Sequence, residues 1–156
     1  MFFGESTHSM DAKNRVFVPK RFQNQLPLDG DGVRAVVLTR GLDGCLFLFS
    51  EDGFTAALAR LETESFSSRG ARNKQRLFFS NSTRLNLDAS GRMLVPEKLK
   101  ALAGLAGEVV MVGAGERAEL WSVAAWEQLV AEQDGDFEDL DDVLGKESPG
   151  KESNGG

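Results

Sequence analysis

The chain carries one nine-residue segment twice: Asp-Ala-Lys-Asn-Arg-Val-Phe-Val-Pro at residues 11–19 and Asp-Ala-Ser-Gly-Arg-Met-Leu-Val-Pro at residues 88–96. Asp, Ala, Arg, Val and Pro are identical in the two segments, at a constant offset of 77 residues. Self-similarity at a fixed spacing indicates two copies of one structural unit. We therefore predict that the fold is an internal duplication.

The similarity continues downstream of both segments. Residues 35–38 (AVVL) match residues 109–112 (VVMV), and residues 46–50 (LFLFS) match residues 119–122 (ELWS). The offset narrows to 74 and then 72. Loops of different length between equivalent elements produce such a change, because loops tolerate insertions better than strands do.

Each copy predicts a tight turn, a strand and a short helix in that order. Asn14 and Gly91, which tolerate a positive φ, stand just before the arginine of each segment and favour a turn there. Pro19 and Pro96 suit the first position of a helix, where a missing N–H costs nothing. The strands between turn and proline are predicted over residues 16–18 and 93–95.

Two more strands complete each copy, and a helix follows them. The strands flank turns at residues 40–44 and 113–117, and apolar residues then recur at helical spacing. These are Phe54, Leu58 and Leu61 in the first copy and Trp126, Leu129 and Val130 in the second. Trp121, Trp126, Phe47, Phe49 and Phe54 are expected in the core or in a subunit interface.

The two copies are too short to fold separately. Each spans about 45 to 50 residues, a length at which little apolar surface can be buried. We predict a mainly β protein with short helices, in which both copies share one small pseudo-two-fold barrel and the two turns lie close together. The predicted divisions are a first copy at 5–53, a helical basic connector at 54–80, a second copy at 81–126 and an acidic disordered tail at 132–156.

The charge is concentrated in the tail. The chain has 24 acidic and 18 basic residues, and nine of the acidic residues lie in the last 25 positions. The net charge of −6 therefore comes from the tail, and it does not exclude a nucleic-acid partner for the folded body. The tail either competes with DNA for a basic surface or only increases solubility.

Several classes of protein are excluded on composition. One cysteine and one histidine allow neither an internal disulfide nor a zinc finger, and no apolar run reaches the roughly 20 residues of a membrane span. The N-terminus has no signal-peptide pattern, so we expect a cytoplasmic protein. Residues 113–118 formally match a dinucleotide fingerprint, but a strand follows them, and His8 has no nucleophile motif around it. We expect no enzyme activity, cofactor, metal or small-molecule substrate.

The repeated segments and their surroundings resemble the MraZ family of transcriptional regulators. The matching stretches are MFFGE at the start, DAKNRVFVP, DGCLFLF, DASGRMLVP, AGLAGEVVMVG and ELWS. The resemblance implies two SpoVT/AbrB-like swapped-hairpin units in one chain and a ring-shaped homo-oligomer. It also implies association with the nucleoid and binding to guanine-rich direct repeats of double-stranded DNA upstream of the protein's own division and cell wall operon.

The resemblance also assigns roles to particular residues. Arg15 and Arg92 are expected to face DNA, together with Lys13 and Asn14 of the first turn. Asp11 and Asp88 are expected to orient the arginines by capping their turns. Candidate phosphate contacts are Lys20, Arg21, Arg69, Arg72 and Arg76, of which the last three fall at i, i+3 and i+7.

Spacing alone leaves other interpretations open. Without the resemblance, an ion pair that merely holds each turn explains Arg15 and Arg92 as well as DNA binding does. The basic connector, including residues 65–76, also fits a solvated helix face. The alternative function is a ring-forming protein-interaction scaffold without specific DNA readout.

Overall fold

The computed structural model describes residues 1–61 and 68–145. The strands of this part of the chain are β1 (Glu5–Ser9), β2 (Arg15–Phe17), β3 (Ala35–Arg40), β4 (Leu46–Phe49), β5 (Ser82–Asn86), β6 (Arg92–Leu94), β7 (Glu108–Gly113) and β8 (Ala118–Ser122). The helices are α1 (Lys20–Gln23), α2 (Glu51–Leu61), α3 (Arg69–Ser80), α4 (Glu97–Leu102), α5 (Val123–Gln133) and α6 (Leu140–Leu144). A 3₁₀ helix, Asp134–Asp139, joins α5 to α6.

The elements predicted for each copy are present in order, with two small differences, and each copy also has a strand before its turn, β1 or β5, that was not predicted. β2 and β6 begin at the arginines and not one residue later. Pro19 and Pro96 are the N-cap residues of α1 and α4 and not their first helical residues. The reason is that both prolines have an extended ψ, 143° and 144°, so the helical conformation starts one residue further on.

Strands are exchanged between the two copies. A six-stranded antiparallel sheet has the order β1-β7-β8-β4-β3-β5, and β2 pairs with β6 in a second, two-stranded sheet. β1 of the first copy therefore pairs with β7 of the second, and β5 of the second copy pairs with β3 of the first. This is the swapped-hairpin arrangement, and it confirms that the two copies form one unit.

A pseudo-two-fold axis passes between equivalent residues. Val16 is paired with Met93 in β2 and β6, and these residues occupy the same position of the two copies. Phe47 is likewise paired with Glu119 in β4 and β8. Because each pair consists of equivalent positions, the axis crosses both sheets at these points.

The buried core takes equivalent residues from both copies. Leu38 of β3 and Met111 of β7, which are paired with the equivalent residues Leu48 and Leu120, are 0% and 1% exposed. Of the aromatic residues predicted in the core, Phe49 and Trp121 are buried, whereas the other three are half-buried: Phe47, Phe54 and Trp126. The largest fully buried side chains are Phe22, Leu26, Leu38, Leu46, Leu48, Met93, Met111 and Leu120.

Helices occupy the described part of the connector and the start of the acidic tail. α3 covers residues 69–80, and Phe78 stacks on Phe54 of α2 with ring centroids 5.8 Å apart. Residues 62–67 of the predicted connector and 146–156 of the predicted tail lie outside the described residues. The 3₁₀ helix and α6 fall within that tail and are exposed throughout. The predicted disorder and the predicted limits of the two copies remain predictions.

None of the helices in residues 1–61 and 68–145 combines the length and apolar character that crossing a membrane requires.

Truncation of a core leucine should destabilise both copies at once, because they share one core. We expect Leu38→Ala to lower the free energy of unfolding by about 2–5 kcal/mol. Leu28→Ala is the control, since Leu28 is 58% exposed and the change should stay within about 0.5 kcal/mol. Urea unfolding followed by circular dichroism measures both. Two separate transitions, with only one of them shifted by Leu38→Ala, would contradict a shared core.

Candidate functional site

The first repeated segment forms a turn that its own aspartate caps. Within turn 1 (residues 11–15), Asp11 Oδ1 accepts hydrogen bonds from the backbone N–H of Lys13 and Arg15, both at 2.9 Å. Asn14 has a φ of +63°, which closes the turn in the left-handed region. The aspartate and the φ-tolerant residue therefore have the roles that the sequence predicts for a tight turn.

The second segment repeats this geometry. Within turn 2 (residues 88–92), Asp88 Oδ1 accepts from the backbone N–H of Ser90 and Arg92, both at 2.9 Å. Gly91, with a φ of +79°, takes the place of Asn14. The two turns share Asp, Ala, Arg and a residue that adopts a positive φ, whereas Lys13 of turn 1 is replaced by Ser90 in turn 2.

Each aspartate also holds the arginine that ends its turn. Arg15 Nε lies 2.7 Å from Asp11 Oδ2, and Arg92 Nε lies 2.9 Å from Asp88 Oδ2. The two arginine side chains are 33% and 34% exposed, so both are accessible while they are held. The orienting role predicted for the aspartates is supported by these contacts.

Strand pairing brings the two turns together. Arg15 and Arg92 begin β2 and β6, which are hydrogen-bonded neighbours. As a result Arg92 Nη1 lies 3.7 Å from Asp11 Oδ2, although Asp11 belongs to the other copy. Asp11 therefore faces both arginines.

Both aspartates are stabilised as carboxylates. The backbone hydrogen bond from Arg15 is the largest cause that lowers the pKa of Asp11, and the bond from Arg92 lowers the pKa of Asp88 in the same way. A carboxyl group with a lowered pKa stabilises the turn above its usual pKa and loses this effect as the pH falls through the lowered value. Near neutral pH both pairs are consequently formed.

Turn 1 rests on a helix of the second copy. Asn14 Nδ2 donates to Glu97 Oε1 at 2.6 Å, and Lys100 Nζ donates to Asn14 Oδ1 at 2.8 Å. The backbone N–H of Val95 also donates to the Asn14 carbonyl at 2.9 Å. The side chain of Asn14 is therefore fixed by α4.

Turn 2 rests on α1 of the first copy in the equivalent way. Gln23 is buried and packs against Gly91, and its Nε2 donates to the Val18 carbonyl at 2.7 Å. Gln23 and Lys100 occupy the same position of the two copies, as do Lys20 and Glu97. The sequence analysis did not single out Gln23, Glu97 and Lys100, although the offset of 77 relates Gln23 to Lys100 and Lys20 to Glu97.

The predicted phosphate contacts do not form one group. Lys13 is exposed on turn 1, and Lys20 lines a cleft of about 340 Å³ with Asp88 and Gly91 of turn 2. Arg21 is directed instead to the N-terminal segment, where its Nε donates to the Phe3 carbonyl at 3.0 Å.

The arginines of the connector belong to a different element. Arg69 and Arg76 are exposed and Arg72 is half-buried on α3, which packs on α2. All three lie on α3 as their spacing predicts. β5 follows α3 and separates it from turn 2 along the chain.

Strand exchange around a two-fold axis, with an acid-capped turn ending in arginine in each half, places the protein in the SpoVT/AbrB-like swapped-hairpin class. A family model described as "MraZ protein, putative antitoxin-like" matches the chain twice, over residues 1–77 and 78–144. The chain belongs to the MraZ family.

Named relatives are similar in sequence along most of the chain. The protein "Transcriptional regulator MraZ" of Moorella thermoacetica is 39% identical over 140 residues, which are 90% of this chain and 94% of the relative. Proteins of the same name from Carboxydothermus hydrogenoformans and Pediococcus pentosaceus are 41% and 34% identical. The alignment with the Carboxydothermus protein covers 81% of this chain and 84% of the relative. The alignment with the Pediococcus protein covers 92% of this chain and 96% of the relative. The family is one of transcriptional regulators and not of enzymes.

A side chain at Gly91 should disrupt turn 2 for two reasons. Alanine would have to adopt a φ of +79°, and its Cβ would lie 2.3 Å from Gln23 Nε2. We expect Gly91→Ala to lower the free energy of unfolding by about 2–5 kcal/mol. Gly104→Ala is the matched control, because Gly104 has a φ of +60° with no atom within 4 Å of the added Cβ. We expect Gly104→Ala to lower the free energy of unfolding by about 1–2 kcal/mol. Urea unfolding measures both variants, and an equal decrease in both would show that Gln23 does not constrain the turn.

Proposed function

We propose that this transcriptional regulator binds double-stranded DNA through turns 1 and 2, with Arg15 and Arg92 as the residues that contact bases. The observation that supports this most strongly is the paired geometry: two arginines of equivalent position begin neighbouring strands, each oriented by an aspartate and each one-third exposed. An oriented and accessible arginine has lost part of its side-chain entropy before it meets a ligand.

Arginine has the chemistry that guanine readout requires. The aspartates engage the Nε of each guanidinium, and the Nη1 and Nη2 groups form the fork that can donate to O6 and N7 of guanine in the major groove. Guanine is therefore the proposed base, and the resemblance to the MraZ family adds guanine-rich direct repeats upstream of the protein's own division and cell wall operon as the proposed target. Binding there would place the protein at the nucleoid, in the cytoplasm.

The two turns would contribute unequally. Lys13 of turn 1 corresponds to Ser90 of turn 2, so turn 1 carries one more positive charge. We also assign Asn14 to the DNA-facing surface with Lys13 because of its place in turn 1, since its side-chain amide is bonded to Glu97 and Lys100 of α4. Lys20 beside turn 2 is the phosphate contact that best fits the geometry, and we also assign this role to Arg21, Arg69, Arg72 and Arg76.

A ring of subunits would multiply these contacts. One pair of turns makes few base contacts, whereas several pairs held in one assembly meet successive direct repeats at a high effective concentration. We therefore include a ring-shaped homo-oligomer in the proposal. Isolated subunits would bind weakly and with little selectivity.

Removal of the arginines should abolish selective binding. We expect Arg15→Ala and Arg92→Ala each to weaken binding to the operon duplex about 5- to 150-fold, because a bidentate contact to guanine contributes about 1–3 kcal/mol of discrimination. Fluorescence anisotropy with the operon duplex and with a scrambled duplex measures the selectivity, and light scattering measures the size of the same samples.

Arg60→Ala is the matched control, since Arg60 is an exposed arginine paired with Glu116 at 2.8 Å and has no part in the turns. It should bind as the wild type does. Wild-type protein without selectivity, or full selectivity in both turn variants, would contradict the proposal and favour a ring-forming protein scaffold. A change of size in the turn variants would instead make the arginines interface residues.

The aspartates should affect selectivity unequally, because Asp11 faces both arginines whereas Asp88 holds Arg92. Asparagine at either position keeps an acceptor oxygen for the backbone N–H groups but loses the carboxylate that orients arginine. We expect Asp11→Asn to lower the ratio of specific to scrambled affinity about three- to tenfold, and Asp88→Asn to lower it less. Anisotropy titrations at one salt concentration measure both. Equal effects would show that the 3.7 Å contact of Asp11 with Arg92 is unimportant for readout.

A further inference from the structure

An apolar groove with a mainly basic rim lies between the β3–β4 turn and α3. It has a volume of about 370 Å³. Leu42, Leu77 and Leu102 line it and are 72%, 62% and 40% exposed, which is unusual for three leucines in one place. Arg40 and Lys74 are the basic residues of its lining, and Asp43 is the acidic one.

The start of the acidic tail has the complementary character. Phe137 and Leu140 are three residues apart across a 3₁₀ helix, and Leu144 is four residues further in α6, so the three side chains share one side. They are 68%, 43% and 80% exposed. The acidic residues around them are Asp134, Asp136, Glu138, Asp139, Asp141 and Asp142.

The two surfaces match both in apolar character and in charge. The groove presents exposed leucines and basic residues, and the tail presents an exposed apolar stripe and carboxylates. We propose that the tail segment of residues 134–144 docks into the groove of a neighbouring subunit. This inference rests on the homo-oligomer of the proposed function and names the contact that builds it.

The position of α5 favours a neighbouring subunit over the same chain. Trp126 Nε1 near the start of α5 donates to Glu5 Oε1 at 3.0 Å, so α5 begins beside β1, one edge of the six-stranded sheet. The groove lies beside α3, which leads into β5 at the opposite edge. In the single chain the tail segment and the groove leucines are both exposed.

A contact between two different surfaces is head-to-tail. Every subunit then offers one tail and one groove, and the series closes into a ring when the rotation between neighbours allows it. None of the residues of turns 1 and 2 is among those that line the groove. Docking at the groove therefore does not use the residues proposed to bind DNA.

Charge reversal on either surface should break the assembly, and reversal on both should restore it. We expect Arg40→Glu with Lys74→Glu, or Asp139→Lys with Asp141→Lys, to shift the protein to monomers at concentrations where the wild type is assembled. The variant with all four changes should assemble as the wild type does, because every contact again joins opposite charges. Sedimentation velocity measures the size distribution, and anisotropy on the same samples measures DNA selectivity.

Glu138→Lys with Asp142→Lys is the matched control. It makes the same change in net charge, but helical spacing places these residues on the side of the segment away from Leu140, so assembly should be unchanged. Assembly that survives both reversals, or that the fourfold variant does not restore, would overturn the docking inference and leave DNA binding by the turns standing. A wild-type protein that is monomeric at all concentrations would overturn the inference together with the proposed ring.

Discussion

Each copy of the repeated unit lacks a strand that the other copy supplies. β1 has its hydrogen-bonding partner in β7, and β5 has its partner in β3. A strand left unpaired exposes a row of N–H and C=O groups, so neither copy satisfies its backbone without the other. The rest of the structure follows from this exchange, because it fixes the two-fold axis, joins the two halves of the core, and makes β2 and β6 neighbours.

The same exchange explains why the two turns are similar but not identical. Each turn rests on a helix of the opposite copy, so a substitution in one copy changes the surroundings of a turn in the other. Gly91 is compatible with the buried Gln23, which leaves no room for a side chain. The equivalent position of Gln23 is Lys100, which bonds to the larger Asn14. Residues that contact each other across the axis therefore differ together between the two copies, while the backbone conformation of both turns is the same.

Much of this arrangement could be predicted from the sequence, because a repeat shows directly in the residue pattern. The elements of each copy, the capped turns and the shared core are all consequences of short-range patterns and of the length of one copy. The supports of the turns could not be predicted in this way, since Gln23 and Lys100 act on segments about 70 to 90 residues distant along the chain. The composition of the tail gave no indication of the 3₁₀ helix and α6, because its many carboxylates obscure the helical spacing of Phe137, Leu140 and Leu144.

An ion pair that holds the turn and an arginine that reads DNA are compatible roles for one residue. The pairs of Arg15 and Arg92 are about one-third exposed, and ion pairs with that much solvent contribute little to stability. A bidentate contact with guanine discriminates by about 1–3 kcal/mol, so a surface pair is too weak to withhold the arginine from its base. The pair does restrict the rotamers of a long side chain, and this reduces the entropy lost on binding. In the proposed DNA-binding role, the aspartate therefore prepares the arginine for its base and does not compete with it.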